Sequence, residues 1–161
     1  MMLASRFVFL IALLLSPAAF AQSDVAVPGR CTPAVNQKLF DLLSSGTHHD
    51  IDNVMVCGVT IGPSYTRQGG PHGNHEILPL LARMPDGSSQ SVEVVVNDEL
   101  DGLVTAPANT SVTAFGQAFF PSGGRYVAGI HDVHCSSHRG ADNGWVVING
   151  VKHPSNCRPP Y

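Results

Sequence analysis

Hydrophobic positions recur along this chain with two periods, and the shorter period dominates. Val35, Leu39, Leu42 and Leu43 stand at i, i+4, i+7 and i+8, which is one apolar stripe of a helix. Thr32-Pro33 offers an N-cap and a first-turn proline, and Gly46 a C-terminal stop, so a helix is expected from Pro33 to about Ser45. Beyond it the pattern changes to short β-branched runs. Strands are expected over Asn53–Thr60, with Gly58 marking a bulge or bend, and over His75–Arg83, with Pro79 forcing part of it to an edge or bulge. Ser91–Val96 gives a third strand, Ser111–Phe120 a fourth with a bend at Gly116, and Arg125–His131 a fifth. Trp145–Ile148, Asn149-Gly150 and Val151–His153 read as strand, type I′ turn and return strand.

The intervals between these runs carry turn chemistry. Gly62–Gly73 is dense in Gly and Pro and reads as a loop, Pro85-Asp86-Gly87 as a turn, and Asp98–Leu103 as one helical turn. Short strands with one helix and no βαβ rhythm imply an antiparallel sheet closed on itself. The expected fold is mainly β, a small OB-like barrel with one N-terminal helix; an α+β roll is the alternative.

A different apolar run opens the chain. Arg6 precedes FVFLIALLL, and Ala19-Phe20-Ala21 follows Pro17, the plan of a secretory signal peptide cleaved near Ala21. The run is short for a bilayer span, and no later stretch approaches ~18 apolar residues. The expected organisation is therefore a signal peptide over 1–21, a flexible leader over 22–30 and a single domain over 31–161, exported to the periplasm or beyond. No membrane span is expected, and a monomer is.

Charge and cysteine content narrow the picture further. The formal net charge is −3, one unit more negative once Arg6 leaves with the leader, and no basic stripe is visible, which argues against nucleic acid. Walker, G-x-S-x-G and G-x-G-x-x-G motifs are absent. The 4 cysteines, Cys31, Cys57, Cys135 and Cys157, form no C-x-x-C pair, so in an oxidising compartment they are expected as two disulfides. Pairing neighbours in sequence gives Cys31 with Cys57 and Cys135 with Cys157.

The chemistry is concentrated between Gly129 and Trp145. His131, His134, His138, Asp132, Asp142, Cys135 and the only tryptophan fall in that segment. One reading joins His131 and His134 to His75, with His72 or His138, as ligands of zinc, copper or nickel at a barrel rim, in a metal-dependent hydrolase. A regular strand points positions three apart to opposite faces, so this needs the strand to end or bulge after His131. A second reading makes a histidine a general base oriented by Asp132 or Asp142. A third gives the segment no chemistry: a hydrogen-bonded polar loop, tied by Cys135 and packed on Trp145 as an anchor. His48, His49 and His153 lie outside all three.

From about Asn53 to His153 the order of features resembles an uncharacterised family of small exported bacterial proteins (domain of unknown function 3465). The resemblance rests on Gly73-Asn-His-Glu-Ile77, the strand ending Val112-Thr-Ala-Phe-Gly-Gln-Ala-Phe119, Ile130-His-Asp-Val-His134 and Asp142-Asn-Gly-Trp-Val146 with Asn149-Gly150. Asp132 stands where the family usually has tryptophan, and Cys135 where it has a further histidine. The resemblance implies an OB-like barrel and supplies no reaction. Together these readings point to an exported binding or accessory module for a small molecule, a glycan or a protein, with the metal-dependent hydrolase as the alternative.

Overall fold

The computed structural model describes residues 24–69, 73–136 and 142–157. A 3-10 turn, Pro33–Asn36, runs into helix α1, Gln37–Ser44. Gly46 at φ 70 ends the helix, where the amides of Gly46 and Thr47 donate back to the carbonyls of Leu43 and Leu42. Eight strands follow: β1 Ile51–Thr60, β2 Tyr65–Gln68, β3 Asn74–Arg83, β4 Ser89–Asn97, β5 Ser111–Phe119, β6 Ala128–His131, β7 Trp145–Ile148 and β8 Val151–His153. A single-turn helix α2, Asp98–Asp101, separates β4 from β5, its amides at Glu99 and Leu100 donating to the Asn97 side chain.

Five strands close a barrel. β1 pairs with β3, β3 with β4, β4 with β6, β6 with β5, and β5 returns to β1; only the β4–β6 pair is parallel. This is the small OB-like barrel with a helix that the strand pattern implied. Val92, Val94 and Val96 of β4, Leu78 and Leu80 of β3, Val54 and Val56 of β1 and Ile130 of β6 fill it, all without solvent contact. The alternate residues of β4, Glu93, Val95 and Asn97, therefore point outward, and that outer face carries the site.

Three local expectations are corrected. Tyr65–Gln68, read as loop, is a strand paired with the first half of β3. All four of its residues are exposed, so it lacks the apolar alternation that marks a strand in sequence. β6 begins at Ala128, not Arg125, after Val127 donates its amide to Ser91. The bulge in β1 lies between Ile51 and Val54, with Asn53 at φ 60, whereas Gly58 serves close approach: a Cβ there would stand 2.4 Å from the Leu81 carbonyl oxygen. Pro79 falls where the neighbour of β3 changes from β2 to β1, so its missing N–H breaks no ladder there.

Buried Asn36 ties the helix to the barrel. Its amide donates to the carbonyls of Cys57 and Arg83 and accepts from the Cys57 amide at 2.7 Å, while Leu39 enters the core. Disulfides join Cys31 to Cys57 and Cys135 to Cys157, with Cα separations of 5.5 and 5.3 Å. Asn149 and Gly150 at φ 48 and 83 form the expected turn between β7 and β8. Trp145 is buried against Phe115 and donates Nε1–H to the Val25 carbonyl, so the leader stretch is held to the barrel at Val25. Among the described residues no helix is long and apolar enough to cross a membrane.

Candidate functional site

Register determines which side chains meet on the outer face. Arg67 of β2 sits opposite His75 of β3, and His75 opposite Asn97 of β4, giving one row across three strands. Because β4 and β6 run parallel with Val94 beside Ile130, the next residues along, Val95 and His131, are neighbours on the outer face. Phe119 of β5 pairs with Gly129 of β6, where a Cβ would lie 2.1 Å from Phe119 Cζ; only glycine leaves room for that ring. The ring in turn meets His131 edge-on, with centroids 5.3 Å apart and planes at 77°. These side chains, with Leu100 of α2, Asp50, Asp132 and His134, line a cleft of about 670 Å³. That is within the ~300–1,000 Å³ range of small-molecule sites.

The floor of the cleft is a turn. β6 ends at His131, and Asp132 takes a left-handed conformation, φ 53, which aspartate tolerates better than most residues. The reversal undoes the strand alternation. His131 Nδ1 lies 3.2 Å and His134 Nε2 3.7 Å from the same oxygen, Oδ1 of Asp132. His134 Nδ1 is 3.0 Å from the carbonyl oxygen of Cys135, which can only accept, so that nitrogen carries a proton.

With a carbonyl on one side and a carboxylate on the other, His134 favours the imidazolium. Asp132 is the first cause and pushes its pKa up to about 8; the Cys135 carbonyl and Asp101 add to this, and burial opposes it. Reciprocally, hydrogen bonding from His131 and then His134 holds the Asp132 carboxyl well below the usual carboxylate range. Asp101 of α2 moves the other way, pushed up to about 6 by burial despite the nearby His134 charge and the Asn97 backbone.

The turn is packed on every side. A Cβ on Gly144 would stand 1.9 Å from the Asp132 carbonyl oxygen, and one on Gly116 2.2 Å from that of His131. Gly144 donates its amide to the His134 carbonyl, Ser136 donates to the Asn143 side chain, and Cys135 is bonded to Cys157. Across the cleft, Arg67 meets Glu93 at 2.8 Å. Glu93 is buried, and its hydrogen bond raises the Arg67 pKa above the ordinary guanidinium value.

Of the sequence candidates, His75, His131, His134 and Asp132 all line the one cleft, and His72 and His138 lie outside the described residues. His48 and His49 are exposed, and His153 pairs with Val146 in the β7–β8 hairpin. Among the described residues no group of three or more His, Cys, Asp or Glu side chains is arranged to hold a metal ion. Reading the sequence missed Arg67, Asp50, Val95, Asn97, Leu100 and Phe119 as cleft residues. Of these only Val95 and Phe119 carried a signal, the outward phase of predicted strands. No family model, curated protein or solved structure matches the chain.

Proposed function

We propose that this protein is an exported binding or accessory module whose ligand occupies the cleft on the outer face of β3, β4 and β6. The observation that carries this reading is the His131–Asp132–His134 turn, with the Phe119 ring against His131 and with Arg67 lining the same cleft. Preorganised polar groups beside an apolar wall give orientation and affinity without an ordering cost. Among the described residues no Ser, Thr, Cys or Lys lines the cleft, and Asp132 is already engaged by two histidines, so these residues provide for a ligand better than for a nucleophile. Two disulfides suit an oxidising compartment. The metal-dependent hydrolase using His75, His131 and His134 has less support, since those side chains gather without a ligand geometry among the described residues. Kinship with the family of unknown function belongs to the same proposal: of the residues that carry the resemblance, His75 and His131 line the cleft and Gly144 packs against its floor.

Blocking the cleft tests the proposal. Val95 is only half-buried and faces outward, so Val95→Trp fills the cleft while sparing the core. Small-molecule fragments that bind the wild-type protein in ligand-observed NMR are expected to lose about tenfold or more in affinity, roughly 1.4 kcal/mol, with the melting midpoint kept. Unchanged binding by the variant would place the ligand site elsewhere.

A further inference from the structure

We infer, on the reading that the cleft is the binding site, that its ligand is an electrically neutral, hydroxyl-rich molecule: a sugar or short neutral glycan. The charges decide this. Among the described residues that line the cleft, Arg67 already has Glu93 at 2.8 Å and His134 already has Asp132 at 3.7 Å. A phosphate or carboxylate would have to break one of those pairs, and Glu93 is too buried to be left alone without cost. Asp50, exposed at the rim, would repel an anion, yet a single exposed carboxylate attracts a cation only weakly.

What remains is a wall of mixed hydrogen-bonding character beside an apolar one. Arg67 is bonded to Glu93 through one nitrogen and is also hydrogen-bonded to Tyr65, and its guanidinium has five N–H groups in all. His131 spends Nδ1 on Asp132 and keeps Nε2 as its second polar atom. Val95, Leu100 and Phe119 supply the apolar surface. A pyranose presents the complement: hydroxyls that both donate and accept around its edge, and C–H faces that rest on an aromatic ring. Small barrels of this kind take oligosaccharides as well as oligonucleotides, and the paired charges favour the former.

The test uses the whole mature protein on an array of neutral, sialylated and sulfated glycans, followed by calorimetry with the best neutral oligosaccharide, a short oligodeoxythymidylate and inorganic phosphate at low and high salt. The expected result is selective binding of neutral glycans, with affinity changing less than about twofold across the salt range because no counterions are released. Phe119→Ala should weaken it about tenfold or more, and Phe119→Tyr should restore it; Arg67→Lys, which keeps a cation beside buried Glu93 and removes the further donors, is the second variant and should also weaken it. Binding confined to acidic glycans, oligodeoxythymidylate or phosphate, with affinity falling steeply in salt, would overturn the neutral class, and its loss in Val95→Trp would leave the cleft as the site. Neutral-glycan binding undiminished in Val95→Trp would overturn the cleft itself. No glycan binding at all would also overturn the inference.

Discussion

Asp132 Oδ1 lies 3.2 Å from Nδ1 of His131, its immediate neighbour in the chain. Adjacent residues of an extended strand point to opposite faces, so the contact exists because the backbone reverses at Asp132, φ 53. The same reversal brings in His134, and one carboxylate orients two rings. Asparagine also tolerates this conformation, so Asp132→Asn should keep the turn and remove the charge. His134, followed by imidazole NMR, is then expected to titrate near 6.5 instead of about 8. A value still near 8 would mean that Asp132 is not what holds its proton.

Stability should fall as pH rises past neutrality. The folded-state pKa of His134 is raised, so its contribution is fully present below about 6.5 and is lost as pH rises through about 8. The size expected is about 1–2 kcal/mol. Denaturant midpoints at pH 6 and 9 measure it, and Asp132→Asn should remove most of the difference.

Asp101 gives the opposite kind of variant. Its carboxyl is raised from 3.8 to about 6 by burial, so stability is lost as pH rises from about 3.8 through about 6 and stays lost above that. Asp101→Asn should raise the melting midpoint at pH 7.5, by about 1 kcal/mol after allowing for solvent screening. At about pH 3, below both the unfolded and the folded pKa, where the carboxyl is protonated in both states, it should change little.

Asn36→Ala removes three hydrogen bonds, two of them buried, and leaves both backbone groups of Cys57 without that partner. A loss of about 2–4 kcal/mol is expected in chemical denaturation. The Cys31–Cys57 disulfide is expected to remain, since it forms from the neighbouring segment.

Gly144→Ala probes the floor of the cleft from behind. The added methyl would meet the Asp132 carbonyl oxygen, so the turn must shift. Destabilisation of about 1–3 kcal/mol is expected, together with a fall in the His134 pKa. A normal His134 titration in this variant would show that the packing of Gly144 does not set the turn.

How much of this was legible in the chain depends on distance along it. The period of the hydrophobic positions was enough for the helix at Leu39, the valine ladder Val92, Val94 and Val96, and the hairpin at Asn149-Gly150, because those signals are local. β2 was hidden because backbone pairing with β3 holds it, and none of its four side chains is buried. The histidine cluster could be located but not assembled. Its assembly depends on the left-handed turn at Asp132 and on the parallel pairing of β4 with β6, which brings residues about 35 apart in sequence side by side. Arg67 and Phe119 joined the site only through that register.

Backbone amide shift mapping, with the protein titrated by whichever fragment or glycan binds it, tests the assignment of the cleft most directly. The expected result is that the largest perturbations fall on Val95, Asn97, Phe119, His131 and Asp132, which line one cavity. Perturbations centred instead on the exposed apolar pair Val59 and Leu81, where β1 meets β3, would contradict it.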